Sequence, residues 1–342
     1  MDAPPQEFQE LLAVVRGYQR SRAVTVAAEL GIADLLRDGP RDVDELAVAT
    51  GTHAPALYRL LRALASIGVF TECAQRRFDL SPMGRYLCRD HPLSLDPAAR
   101  MFGADYEWRA WAELAHSVRT GGNAAVHALG CDVWEYRRRH PGHGELFDAT
   151  MRTSSHADGA AVLAAHDFGR YGVVADIGGG TGAVLADVLA AHPSVRGILF
   201  DRPHVVAGAD PVLHAAAVAD RVSVVPGDFF AEVPSGADAY LLARVLHDWA
   251  DEHALRILRN VRRAMAPEAR VLLVEAVVGP PNEDPAAKFL DLMMLVSAGG
   301  RERTEDEWRA LLAGADLDLT AATRATAAKH VIEAAPTASR GV

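Results

Sequence analysis

The run "VVADIGGGTG" (residues 173–182) constrains the fold more than any other stretch of this chain. It opens on a short apolar, β-branched segment. Gly178, Gly180 and Gly182 follow at the point where the helix-forming run "AVLADVLAAHP" must begin. Glycine permits positive φ and close backbone approach to a ligand, and a helix start offers free N–H groups to something polar or anionic. Further apolar runs at "VRGILFD", "RVSVVPGD", "ADAYLLAR" and "ARVLLVEAVV" alternate with helical patterns such as "EHALRILRNVRRAMAP". That alternation predicts an α/β fold, a Rossmann-like doubly wound sheet, closed by the helix "TEDEWRALLAGADL" and the segments "LDLTAATR" and "KHVIEAA".

Upstream the pattern is helical. Phe8, Leu11, Leu12, Val15 and Tyr18 fall on one stripe, which seeks a partner surface, and a second copy of the chain is the natural one. Next come two helices around Gly51, the second capped by Thr52, and two short strands within "GVFTECAQRRFDLSPMG". Together they read as a winged helix-turn-helix. Its would-be recognition helix offers only Arg59 and Arg62, so a structural or dimerising role is favoured over DNA binding. Residues 92 to about 165 read as helical, with Trp108, Trp111 and Trp134 as core bulk. The expected division is a helical, winged-helix dimerisation and substrate-lid domain at 1–165 and a cofactor-binding domain at 166–342.

The formal net charge of −10 opposes a phosphate-backbone partner. The densest basic patch, "EYRRRH" (135–140), reads as a solvated helix face. No apolar run of about 18 residues suggests a membrane span, and the N-terminal residues lack a secretory pattern. Cys73, Cys88 and Cys131 are widely spaced and form no disulfide framework or zinc pattern. A cytoplasmic protein is expected.

Taken alone, the glycine motif also fits the G-x-G-x-x-A form of a dinucleotide site through Gly178, Gly180 and Ala183. Asp201, ending the second strand, can accept both ribose hydroxyls, but a nicotinamide protein uses an acid there too. Asp228 and Phe229 in "PGDFF" add an acid and a ring face suited to adenine.

With "LFDRPHV", "GDFF", "VLHDWADEH", "VLLVEAVV" and "GGRERTEDEW" alongside the glycine motif, nearly the whole chain resembles the S-adenosylmethionine (SAM)-dependent O-methyltransferases of the plant caffeic-acid and bacterial aromatic natural-product type. The resemblance implies SAM as cofactor, with Gly178 and Gly180 against its methionine part, Asp201 on the ribose, and Asp228 and Phe229 on the adenine. It implies a homodimer through the N-terminal helices and an aromatic or polyketide-like small molecule as methyl acceptor. Where plant relatives have a lysine this chain has Ala243, and Arg244 is the neighbouring candidate for the cofactor.

His247 follows a strand at the carboxyl edge of the sheet. A phenol has a pKa of about 10 and a free histidine about 6.5, so a base that removes the proton as attack proceeds lowers the cost of ionisation. The resemblance makes His247 that base and assigns Glu275 and Glu302 as the acids beside it. Glu275 stands out as a charge inside an apolar run, whereas Glu302 has acidic neighbours in "RERTEDE" that sequence alone does not separate from it. Asp248 and Asp251 read as helix caps or first-turn acids. Phe147, Met151, Asp291 and Met294 match the family's acceptor pocket, and ordinary core packing is the competing reading for its apolar members. No metal is expected. Three competitors stand beside methyl transfer: non-methylating SAM chemistry on the same fold, a SAM-responsive winged-helix regulator, and a nicotinamide dehydrogenase.

Overall fold

The computed structural model describes residues 5–338. It divides into two compact units, one of Met1–Trp108 with Arg137–Thr153 and one of Arg109–Tyr136 with Ser154–Val342.

In the first unit, helix Val43–Thr50 begins with a capping box in which Asp42 accepts from the backbone and Glu45 reaches back to it, and it ends at Gly51 in the left-handed conformation. Helix Ala54–Ala65 buries Leu57, Leu61 and Leu64, spaced four and three apart on one face. Each such burial stabilises by about 1.5–3 kcal/mol. The helix is capped at His53, not at Thr52, whose hydroxyl bonds Thr50 instead. Strands β1 (Arg41–Asp42), β2 (Phe70–Ala74) and β3 (Arg77–Leu80) form an antiparallel sheet in the order β1-β3-β2, and Phe70 and Phe78 complete the core. This is the winged-helix arrangement expected from the sequence. Arg59 and Arg62 are both exposed.

Two expectations fail in this unit. Trp108 is 36% exposed, lining a groove with Tyr18, Val26 and Leu60 instead of entering the core. Arg137 does not lie on a solvated face: it is buried, pairs with Glu107 at 3.4 Å and stacks on the Phe147 ring at 3.9 Å. Arg138 and Arg139 are exposed. In the second unit, Trp111 and Trp134 are only partly buried, packed against a small cluster of Ala110, Ala124, Val133 and Val296 from the same unit.

The second unit carries a seven-stranded sheet in the order β6-β5-β4-β7-β8-β10-β9. Its strands are β4 (Val173–Ile177), β5 (Arg196–Asp201), β6 (Val222–Pro226), β7 (Ala239–Ala243), β8 (Arg270–Ala276), β9 (Leu317–Arg324) and β10 (Lys329–Pro336). The first five pair in parallel, and β10 pairs antiparallel to β8 and β9. Central strands β4, β7 and β8 are buried on both faces, which is why they read as continuous apolar runs rather than alternating ones. Tyr240, Leu242, Leu273 and Trp308 fill one face, and Leu241, Leu272, Val274 and Leu185 the other. The chain leaves β4 on one side toward β5 and later returns on the other as β7. A crevice therefore opens at their carboxyl ends, where such sheets bind ligands. Among the described residues no helix is long and apolar enough to cross a membrane.

Helix Gln6–Val15 buries none of its residues. Leu11 and Val15, four apart on one face, are 63% and 64% exposed. An apolar stripe left open in this way is the kind of surface that association with a partner would cover. Leu11→Glu combined with Val15→Glu should therefore convert a dimer to a monomer in sedimentation velocity at micromolar concentration. A double variant that still sediments as a dimer would remove the stripe from the interface.

Candidate active site

The crevice is built first from the turn after β4. Gly178 and Gly180 adopt φ of 72° and 61°. A Cβ at Gly178 would lie 2.9 Å from Val245 and 3.4 Å from the Phe229 ring, so the loop must pass those side chains as bare backbone, whereas nothing stands within 4 Å in front of Gly180. Asp201, at the end of β5, accepts from the Gly180 N–H at 2.8 Å and from its neighbour Arg202. Burial raises its pKa, and those two N–H groups resist the shift. Asp176 lies beneath the loop, fully buried and pushed up to about 7 by burial and by the nearby Asp201. On the third strand end, Asp228 accepts from the Phe230 N–H. The Phe229 carbonyl is held by Asn260, and its ring meets Trp249 edge-on at 6.1 Å.

The other wall starts at Arg244, which takes a left-handed φ of 57° directly after β7. That reversal aims the next two N–H groups, of Val245 and Leu246, at one oxygen of Glu275, at 3.0 and 2.8 Å. The one-turn helix Leu246–Asp248 follows and carries His247, 8% exposed. Nδ1 of His247 lies 2.7 Å from Glu302 and 3.6 Å from the second oxygen of Glu275, while Nε2 lies 3.6 Å from Asp248. The buried Arg303 donates to the carbonyls of Leu246 and Trp249 and to Asp251, and Arg301 N–H donates to the His247 carbonyl. Gly300 lies flat on this backbone: a Cβ there would come within 1.9 Å of the His247 oxygen. Asp251 is a first-turn acid of helix Asp251–Ala264, as expected, but Ala250 occupies the cap position and Asp248 faces the imidazole.

Charge in this cluster is shared. Burial disfavours a charged imidazole, but Glu275, Asp248 and the Glu302 hydrogen bond outweigh it and push His247 up to about 10. Glu275 is itself pushed up to about 7 by burial, against the pull of His247. A charged ring between two carboxylates, and a neutral ring beside one protonated carboxyl, hold the same number of protons. The group therefore titrates as a unit. With Nδ1 committed to Glu302, the neutral ring presents Nε2 as its acceptor. One nitrogen and two carboxylate oxygens also lie within 4.8 Å of one another, a spacing at which a metal ion could be held.

The remaining candidates are spread over both units. Met294 is buried, and Asp291 accepts from the Glu302 N–H at 2.9 Å, fixing the acid that fixes the histidine. Phe147, under Arg137, and Met151 belong to the first unit. Arg244 donates to Ser155 and lies 4.0 Å from Asp158. Sequence reasoning missed Asp176, Asp248 as a neighbour of the base, Arg303 and Lys329. Asp176 was visible, two residues before Gly178 in the glycine motif. Asp248 directly follows His247 in the sequence, whereas Arg303 and Lys329 meet their partners only through the fold.

A family model for the O-methyltransferase domain matches residues 111–317, and one for the O-methyltransferase dimerisation domain matches residues 12–90. The chain belongs to the O-methyltransferase family. It is 42% identical over 327 residues to the phenazine O-methyltransferase PhzM of Lysobacter antibioticus, covering 95% of each chain. The crystal structure of LaPhzM superposes with a TM-score of 0.93 at 40% identity, over 97% of this chain and 100% of that one. The O-methyltransferase NcsB1 from neocarzinostatin biosynthesis, solved with SAM and 2-hydroxy-5-methyl naphthoic acid, aligns with a TM-score of 0.78 at 35% identity, over 92% and 95%.

Glu275 satisfies two buried N–H groups and balances a buried ring at once. Glu275→Ala should cost about 3 kcal/mol or more in urea unfolding, and Glu275→Gln, which keeps an acceptor in place, about 1–2 kcal/mol. Equal losses would mean that the two N–H bonds contribute little.

Proposed function

We propose that this O-methyltransferase moves a methyl group from SAM to a hydroxyl of an aromatic or polyketide-like small molecule in secondary-metabolite biosynthesis, with His247 Nε2 as general base. The observation that carries this reading is the Glu302–Nδ1 hydrogen bond of 2.7 Å, which fixes the tautomer and leaves Nε2 as the acceptor atom. The crevice fits the donor: the space before Gly180 admits its methionyl part, Asp201 can take the ribose hydroxyls, and Asp228 with Phe229 the adenine. When bound, SAM supplies an electrophilic methyl group on a sulfonium. Phe147, Met151, Asp291 and Met294 are assigned to the acceptor, supported by the naphthoic acid in NcsB1.

In this reading residues 1–165 serve dimerisation and acceptor binding and 166–342 the donor. His247 receives the acceptor proton on Nε2 while Glu302 and Glu275 offset the growing ring charge. The net charge of −10 supports a small-molecule acceptor over nucleic acid, and free Cys73, Cys88 and Cys131 fit a reducing, cytoplasmic setting. The cluster works through its proton without a metal, so chelation should leave turnover intact.

The reading is tested with labelled SAM and a panel of hydroxylated naphthoates, phenazines and anthracyclines, following formation of S-adenosylhomocysteine. His247→Ala should lower kcat roughly 100-fold or more with donor affinity unchanged. Near-normal turnover would show that alignment alone suffices. The pH dependence has a definite sign. A raised His247 is protonated and inactive at low pH, so kcat/KM for the acceptor at saturating donor should rise with pH. Its midpoint should lie below the value of about 10 set by the ligand-free cluster, because a fixed positive charge beside the ring eases its deprotonation. Glu302→Gln removes an anion that holds the proton and should move that midpoint lower still. A flat profile, or a midpoint that rises in Glu302→Gln, would contradict the assignment.

A further inference from the structure

The side chains around His247 have a capacity that proton transfer does not use. Glu275 and Glu302 are 0% and 2% exposed, and in each the Oε2 atom has no hydrogen-bond partner among the described residues. That oxygen of Glu275 lies 3.6 Å from Nδ1 of His247, so it is aimed at the ring. A carboxylate oxygen withdrawn from water without a donor is costly, and two of them in one cluster call for an explanation. The buried Arg303 does not meet them: it donates to the carbonyls of Leu246, Arg301 and Trp249 and to Asp251.

The geometry of the cluster suits a small divalent ion. One nitrogen of His247 and one oxygen from each carboxylate lie within 4.8 Å of one another. Zinc binds imidazole nitrogen and carboxylate oxygen at about 2.0–2.2 Å, which sets ligand atoms roughly 3.3 Å apart in a tetrahedral shell. The 3.6 Å separation of Nδ1 from Glu275 is already close to that, and the 2.7 Å hydrogen bond to Glu302 has to open by roughly half an ångström. A nitrogen with two carboxylates fits zinc better than magnesium, which prefers oxygen ligands and keeps its waters. Two carboxylates also balance a dication. Asp248, 3.6 Å from Nε2, adds to the attraction, while Arg244, in electrostatic reach of Glu275, opposes it.

We propose that Nδ1 of His247, Glu275 and Glu302 form an inhibitory site for a divalent ion of the zinc class, with water completing its shell. The inhibition rests on His247 being the base, and it acts from the side of the ring turned toward the acids. A metal on Nδ1 occupies the lone pair there and leaves the single proton of the neutral ring on Nε2, while the proton displaced from the cluster leaves to solvent. The atom that should receive the acceptor's proton is then itself a donor. Proton and metal take the same place between Nδ1 and the carboxylates, so each excludes the other. The two acids that orient the base thus also open it to capture.

The test is a calorimetric titration of the full-length protein with zinc chloride alone. Glu302→Gln and Glu275→Gln, each first shown by a cooperative melting transition to be folded, should weaken binding roughly 10-fold or more, at least the loss that follows removal of an outer partner of a metal ligand. In steady state, zinc should lower kcat of the wild-type protein and leave KM for SAM unchanged, and a chelator should restore turnover. Cys73→Ser combined with His127→Ala removes the exposed thiol and the imidazole beside Glu113, and this variant should be inhibited like wild type. Zinc binding undiminished in both carboxylate variants would overturn the site, as would inhibition abolished by the Cys73 and His127 changes. Zinc bound without loss of turnover would overturn the inhibitory role. A parallel measurement on His247→Ala then separates the causes: low turnover there leaves the base reading standing, and normal turnover removes it as well.

Discussion

A carboxylate in the middle of an apolar strand is an expensive group to bury, and Glu275 is placed where its burial is offset. One oxygen accepts the N–H groups of Val245 and Leu246, the residues that turn the chain out of β7. The other faces the ring of His247. The acid therefore does two jobs with two atoms: it ends a neighbouring strand in a defined direction, and it supplies charge to the side chain that this direction exposes. Glu302, Arg303 and Gly300 then close on the same turn from a different segment, through a side-chain bond, two carbonyl-directed donors and a flat backbone contact. The imidazole is located by backbone as much as by its own bonds, the kind of support that keeps a reactive group in one geometry.

The same arrangement sets its chemistry. A lone buried imidazole would be harder to charge than one in water, and a lone buried carboxyl harder to ionise. Together they reverse the first tendency and retain part of the second, so ring and carboxyl share a proton within the cluster. In the proposed mechanism, readiness for base work would thus be a property of the occupied crevice, in which a positive charge takes over the balancing role of that proton.

Much of this was legible because it is local. The glycine turn, the acids at Asp201 and Asp228, the strands and the misfit of Glu275 within "LLVEAVV" all follow from neighbours in sequence. Glu302 could not be separated from the acids around it by pattern; the structure separates it, with Glu307 closing a capping box at Thr304 and Glu302 alone reaching His247. What the pattern misjudged depends on partners distant in the chain. Arg137 reads as part of a solvated basic run until Glu107 and Phe147 are beside it. Trp108 reads as core because of its size, and Lys329 as an ordinary strand end until Asp158 meets it. Thr52 has a capping side chain, but the turn makes His53 the boundary residue.

The bare backbone of Gly300 on the His247 carbonyl has a consequence for how such an enzyme can change. Any larger residue there would have to shift the histidine's own peptide, so this position is closed to drift even though it bears no functional group. Its neighbour Arg301, 43% exposed on its side chain, carries no such restriction. Selection for new acceptors acting on this loop would find tolerance and intolerance side by side, one residue apart, with the smallest side chain the least replaceable.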